Sequence, residues 1–422
     1  MDLANHKPEL LAPAGGWEQL FYALHFGADA VYVAADRFGL RSRAQNFALD
    51  ELPAVAQQVH AAGARVYVTL NAYAHDEDIA LLPRYVRAIE AAGIDAVIAS
   101  DLGVISMVRE TAPNLAIHVS TQASVSNAAA ARAFHALGAT RVVLARELSL
   151  DQIAHLRQEL PPDLQLEAFV HGAMCMAISG RCLISDFLAD RHANRGECVQ
   201  PCRWAYELRE PSRPDQSFPI VEEGGLTHIM NSKDLNMLDH LDALAAAGVD
   251  SVKIEGRVKK AFYVATVVNA YRHVLDGEDP AAWQPELDTI SHRPYSTGFY
   301  FGPASQLTHD DVYVQRYDWV AEAASCEPTS SVNANGAFRC QVRCRNRFYE
   351  GDELQVLSPS EPVRAFRVTK LHERFEDNDG QVAKVPVKVA NKAMGSYEIE
   401  TPFALRPRDI LRVKRRNPSC KN

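Results

Sequence analysis

The sequence lacks the marks of membrane, secreted and dinucleotide-binding proteins. None of its apolar runs approaches the roughly 20 residues that a membrane-spanning helix needs, so no membrane partner is expected. The opening MDLANHKPELLAPAGG has no basic segment followed by a long apolar stretch, so no secretory leader is expected and the expected compartment is cytoplasmic. No G-x-G-x-x-G turn follows any apolar run, which removes the usual dinucleotide fingerprint. There is no H-E-x-x-H zinc helix and no G-x-S-x-G nucleophile elbow. Positive charge is also in deficit: 44 Lys and Arg against 53 Asp and Glu leave a net charge of −9. That excludes a general nucleic-acid coat, and any RNA contact has to come from a local basic patch.

The composition itself is that of a folded protein, with 47% hydrophobic and 23% charged residues over 422 positions. This length suits about two or three domains. The first part repeats a short apolar run, a polar loop and an Ala/Leu-rich amphipathic stretch. The runs are Glu9–Ala12, Ala30–Ala34, Arg65–Leu70, Ala96–Ser100, Ala116–Ser120, Arg141–Ala145, Leu166–Val170 and Ser251–Ile254. Helical stretches between them include Trp17–Phe26, Leu52–Ala62, Ala80–Ala92, Ala128–Leu137, Leu150–Leu156 and Leu235–Ala247. Several end in a glycine suited to a helix C-cap, such as Gly63, Gly93 and Gly248. This rhythm means βαβ units and a parallel sheet. Eight runs predict an α/β fold, a (β/α)8 TIM-like barrel over 1–280; the alternative is an open doubly wound sheet.

The rhythm breaks after the seventh run. Residues Gly172 to about Gly225 form a long Cys-rich insertion, placed by its position on the barrel face where active sites sit. A connector is expected over 281–318. Short alternating strands then follow: Phe338–Val342, Glu353–Val356, Arg364–Leu371, Val385–Val389 and Ser396–Glu400. They predict a small all-β module, a barrel or sandwich, over 319–422.

Eight cysteines in a cytosolic chain are read as metal or redox candidates rather than as structural disulfides. Four fall in one window, Cys175, Cys182, Cys198 and Cys202, spaced C-x6-C-x15-C-x3-C. Two close C-x2-C knuckles would point to zinc, and this is not that pattern. An iron–sulfur cluster, a zinc ion and unliganded thiols all remain open on spacing alone. Cys326, Cys340, Cys344 and Cys420 read as buried small residues or unpaired thiols.

The stretch Glu167–Ser185, EAFVHGAMCMAISGRCLIS, resembles the signature of peptidase family U32, the collagenase-like peptidases. Glu167, Phe169, Gly172, Ala173, Cys175, Gly180, Cys182 and Ser185 carry it. PELLAPAG, NRGECVQPCRW, NSKDL and KIEGR, the last at Lys253–Arg257, are similar to further segments of that family. Length and order are most similar to the family's short tRNA-hydroxylating members. That resemblance implies formation of 5-hydroxyuridine at the tRNA wobble position, dependent on prephenate and on iron–sulfur assembly, with a 4Fe-4S cluster the expected cofactor. It leaves room for an electron donor or partner protein. Some relatives carry a fourth cluster cysteine in the segment that reads NSKDLNML here, where Asn236 stands and no cysteine does. The expected ligands are Cys175, Cys182 and Cys198, and the fourth is Cys202, a non-protein ligand or absent. The alternatives are a collagenase-like peptidase and a non-catalytic iron–sulfur accessory protein.

Residues just past the strand ends face the expected site. Arg41, Arg43, Arg146 and Arg257 are candidates to clamp a dicarboxylate such as prephenate, because a guanidinium binds carboxylates bidentately. Structural ion pairing with Glu147, Asp101 or Glu255 is the alternative for each arginine. Asn71, Gln122 and Glu255 complete the expected substrate-binding set. Glu167 is a candidate general acid or base, or else the buried partner of an arginine. His171 is a candidate base, a cluster neighbour or a core histidine, and it lies four residues before Cys175, where a peptidase would need a hydrogen-bonded Cys/His pair. RNA needs a basic surface. The segment from Arg406 to Asn422 carries seven Lys or Arg and one Asp, and Arg412, Lys414, Arg415 and Arg416 are the expected contacts to the tRNA anticodon loop.

Overall fold

The structure is a computed structural model, and it describes residues 7–40, 45–175, 182, 184–201, 208–209, 217–218, 221–223, 226–228, 231–302, 306–307, 313–329, 338–359, 361–376 and 382–416. It divides into two compact units. One is Met1–Pro285 with His292–Tyr313, and the other is Glu286–Ser291 with Val314–Cys420.

The first unit is a closed parallel barrel. Its strands are β1 Glu9–Pro13, β2 Ala30–Val33, β3 Arg65–Leu70, β4 Ala96–Ala99, β5 Ala116–Val119, β6 Arg141–Val143, β7 Gln165–Ala173 and β8 Ser251–Ile254. Each pairs in parallel with the next, β8 returns to β1, and β7 pairs with β8 to close the ring. The strands are short and apolar because both of their faces are buried. Leu10, Val31, Val66, Val97, Val142, Leu166 and Val252 are all fully buried.

Helices follow the strands: α1 Trp17–His25, α2 Leu52–Ala61, α3 Asp76–Ala91, α4 Leu102–Thr111, α5 Ala128–Ala136 and α6 Leu150–Gln158. Their starts are set by capping side chains. Asp101 accepts Val104 N–H at 3.1 Å, Asn127 accepts Ala130 N–H at 2.9 Å, and Ser149 and Gln152 cap each other reciprocally. Asp101 is thus used as a helix cap. The helix Ala261–Leu275 is buried almost all round, which its Ala/Val-rich sequence permits.

The helix expected over Leu235–Ala247 is corrected. Asp234–Asn236 is a short strand antiparallel to the end of β7, and the helix begins only at Leu241 and ends at Ala246. The Asp234 carboxylate is fixed by Arg293 at 2.9 Å, and the backbone of Asp234–Asn236 continues the sheet from Ala173 to His171. Burial of that ion pair outweighs the helical propensity of the leucines.

The second unit is built on an eight-stranded antiparallel sheet. Two of its strands escaped the sequence reading. Tyr317–Pro328 is its longest strand, and Ile410–Lys414 pairs with it centrally. The single strand expected over Arg364–Leu371 is two, Arg364–Arg367 and Leu371–Glu376. Cys326 and Cys340 correct another expectation. They lie directly opposite on neighbouring strands and form a disulfide, while Cys344 is a buried free thiol.

Candidate active site

The barrel interior changes character along its axis. At its N-terminal end, Glu9 accepts Arg141 Nη1–H at 2.6 Å, the Tyr67 hydroxyl at 2.7 Å and the Ser251 hydroxyl at 3.0 Å. One layer up, Glu167 is fully buried between Arg141 at 3.2 Å and Lys253 at 2.8 Å. Lys253 Nζ lies over the Tyr32 ring, 4.5 Å from its centroid, and 5.5 Å from that of Phe169. Apolar Leu11, Ala30, Ala96 and Ile98 fill the rest. The two anions and two cations neutralise each other with every carboxylate hydrogen-bonded, which is the condition under which buried charge is tolerated. Among them, Arg141 and Tyr67 oppose the upward push of burial and hold the Glu9 carboxyl below its usual range. Of the two roles open to Glu167, the geometry displays the ion-paired one: its oxygens are engaged by Arg141 and Lys253 below Phe169.

At the C-terminal ends of the strands, Arg146 and Glu255 come together, while Arg257 and Asn71 have other partners. Arg146 stacks its guanidinium 3.8 Å from the Phe169 ring centroid, donates to Ala173 O at 2.9 Å and lies 4.0 Å from Glu255. Tyr32 donates to Ile254 O and reaches Glu255 at 3.4 Å. Arg257 is buried and donates to the Thr69 hydroxyl at 2.8 Å. Asn71 accepts Leu40 N–H at 3.2 Å and so ties the β2 loop to the end of β3. The Gln122 Oε1 is buried and lacks a hydrogen-bond partner among the described residues. Arg41 and Arg43 lie outside the described residues.

Gly172 is what lets strand β7 end here. Its φ is +107°, and a Cβ on it would stand 2.6 Å from Glu255 O. Only glycine both adopts this backbone and admits the approach of β8. The preceding His171 turns into a box of Tyr263, Tyr271 and Tyr295, with ring centroids 5.4–5.9 Å away. Burial pushes its imidazole down to about 3, so it is neutral. Its Nδ1 lies 3.4 Å from the Tyr271 hydroxyl, and its Nε2 has no hydrogen-bond partner among the described residues. The Cys/His pair of a thiol peptidase is therefore not assembled between His171 and Cys175.

The chain leaves β7 towards Cys175, which is exposed, while Cys182 and Cys198 are half-buried. The Cys182 thiol is raised chiefly by burial, and the charges of Cys175 and Cys198 push it the same way. Backbone N–H groups already point at two of them: Ile184 N–H reaches Cys182 Sγ and Gln200 N–H reaches Cys198 Sγ, both at 3.4 Å. Such donors suit thiolate ligands of iron or zinc. Among the described residues no three Cys, His or carboxylate groups are closed into a metal site. Cys202 lies outside the described residues.

Of the expected RNA contacts, Arg412 is corrected. It is 1% exposed and is spent inside the second unit on Glu286 at 2.7 and 2.8 Å and on Gln355. It belongs to a strand, where alternate residues point inward, so a run of basic residues cannot all reach solvent. Arg415 is half-buried on Asp318 at 2.8 Å. Lys414 and Arg416 are exposed, the latter paired with Asp352 at 3.1 Å.

Lys253, Asp234 and Arg293 were not anticipated as functional positions. A charged residue interrupting an apolar strand, as Lys253 does in Ser251–Ile254, is the signal that marks an inward position.

Comparison with known proteins places these features in context. A profile described as peptidase family U32 matches residues 15–310, and one for the peptidase family U32 C-terminal domain matches residues 315–412. The chain is 36% identical over 397 residues to tRNA hydroxylation protein P1 of Bacillus subtilis (strain 168), covering 91% of each. It is 32% identical to tRNA hydroxylation protein P of Escherichia coli (strain K12), covering 98% of this chain and 100% of that one. It is also 35% identical to a collagenase of Porphyromonas gingivalis (strain ATCC BAA-308 / W83), covering 90% and 94%.

Proposed function

The chain belongs to peptidase family U32, and from that premise we propose that it is a tRNA-modifying enzyme that hydroxylates the wobble uridine to 5-hydroxyuridine. Full-length similarity to tRNA hydroxylation proteins supports the tRNA substrate. The observation that carries the chemical reading is one juxtaposition. Arg146 stands on Phe169 and Ala173 of the same strand, β7, after which the chain reaches Cys175.

The mouth suits a small dianion. Arg146 and Arg257 supply two guanidinium groups past the strand ends, and Glu255 lies 4.0 Å from Arg146 beside Phe169 and Tyr32. Guanidinium pairs of this kind select dicarboxylates, and prephenate is one. Tyr32 and Arg146 hold Glu255 in place, and Thr69 orients Arg257, so the binding groups are fixed before a ligand arrives. Cys175, Cys182 and Cys198 would hold an iron–sulfur cluster, with Cys202 the expected fourth ligand. When bound, such a cluster supplies electron transfer or Lewis acidity beside the mouth. The uridine has to be presented unstacked, and an anticodon loop offers unpaired bases at low cost.

The neutral, tyrosine-boxed His171 disfavours the peptidase alternative, since it makes no hydrogen bond to Cys175 among the described residues. Nucleoside mass spectrometry of tRNA from a deletion strain tests the proposal. Loss of 5-hydroxyuridine and its derivatives is expected. Gelatin cleavage by the purified metal-free protein, abolished by Cys175→Ala, would favour the peptidase instead.

A further inference from the structure

The described thiols differ in what donates to them, and we infer that Ser185 is a positioning residue that tunes the sulfur of Cys198. The inference rests on the iron–sulfur reading above. Ser185 is 1% exposed at the start of the short helix Ile184–Ala189. Its Oγ accepts the Val199 N–H at 3.2 Å and lies 3.7 Å from Cys198 Sγ. An oxygen already accepting from one side has a single proton to give, and here that proton is directed at sulfur. Gln200 N–H supplies a second donor to the same sulfur at 3.4 Å. Among the described residues Cys182 receives one such donor, from Ile184.

The frame around Cys182 is tied to the barrel by hydrogen bonds. Asn194 clamps Cys182 from both sides, accepting its N–H at 3.2 Å and donating to its carbonyl at 3.0 Å. The carbonyl of Asn194 accepts Tyr73 N–H at 2.8 Å. Arg195 donates to Asp78 at 2.8 Å and to Tyr73 O at 3.1 Å, just beyond β3. Gly196, at φ +98°, then turns the chain back towards Cys198. Asn194 thus fixes where Cys182 stands, and Ser185 fixes the electron density at Cys198. Hydrogen bonds to ligating sulfur withdraw charge and favour the reduced state of an attached cluster.

The test is a redox titration of the full chain purified anaerobically, followed by visible absorption and electron paramagnetic resonance, on wild type, Ser185→Ala and Ser185→Thr. The expected result is a more negative midpoint potential in Ser185→Ala and the wild-type value in Ser185→Thr, which keeps the hydroxyl. A cluster-bearing Ser185→Ala with the wild-type potential overturns the inference and leaves the iron–sulfur reading standing. Wild-type protein without iron or visible absorption defeats the iron–sulfur reading, and the inference with it. If Ser185→Ala keeps no cluster, retention by Ser185→Thr supports the hydroxyl's role at sulfur, and loss from both variants overturns it.

Discussion

Glu167 and Lys253 face each other across neighbouring barrel strands, carboxylate oxygen to ammonium nitrogen at 2.8 Å, sealed from water. Arg141 holds the other oxygen of Glu167 and passes the charge on to Glu9. This chain of charges is a structural strut. Removing one partner of a buried pair leaves an uncompensated ion and costs about 3–5 kcal/mol. Glu167→Ala is therefore expected to lower stability by about that amount in urea denaturation. Loss of tRNA hydroxylation should follow the loss of folded protein. A fully folded, inactive Glu167→Gln protein would assign Glu167 to chemistry instead.

Two buried histidines give the barrel a pH dependence. His171 is pushed to about 3 and His118 well below its usual range, each chiefly by burial. Both are neutral when folded, and both take up a proton on unfolding once the pH drops below about 6.5. Falling pH thus favours the unfolded chain, by about 1.4 kcal/mol per pH unit for each histidine. Stability is expected to decline from pH 6.5 towards 5. His118→Asn and His171→Asn should each remove one proton from the slope, as read from urea midpoints across that range. An unchanged slope in both variants would mean the imidazoles are charged in the fold.

Arg412 is structural, whereas Lys414 and Arg416 stay exposed and are the residues proposed to meet RNA. Arg412→Ala is expected to destabilise the second unit by about 3–5 kcal/mol, since it strands Glu286. Lys414→Ala and Arg416→Ala should leave the melting temperature nearly unchanged and reduce the salt dependence of tRNA binding. An unchanged melting temperature in Arg412→Ala would show that its pairing contributes nothing.

Much of this was legible in the residues. All eight barrel strands announce themselves as short apolar runs, because a strand buried on both faces has to be apolar throughout. The cysteine window and the arginines past the strand ends stand out in the sequence as candidates for chemistry. Less legible was anything decided by partners far apart in sequence. Asp234 leads a strand because Arg293 holds it, and Arg412 is buried because Glu286 and Gln355 lie opposite. Cys326 and Cys340 meet only through strand register. No local pattern encodes those pairings.

The mouth makes a quantitative claim. Arg146→Lys and Arg257→Lys keep the charge and lose the planar fork. Each should raise the concentration of prephenate needed for half-maximal hydroxylation by about 10–100-fold, the equivalent of one charged hydrogen bond of about 1.5–3 kcal/mol. Initial-rate measurements against prephenate check this, and an unaltered requirement in both variants would move the dicarboxylate site elsewhere.

The most direct measurement is the 5-hydroxyuridine content of tRNA from a deletion strain carrying either the wild-type gene or a Cys175→Ala, Cys182→Ala or Cys198→Ala version. The account predicts that the modification vanishes on deletion, returns with the wild type, and stays absent with every cysteine variant that accumulates as folded protein. Undiminished 5-hydroxyuridine in the deletion strain, or full restoration by the cysteine variants, would contradict it.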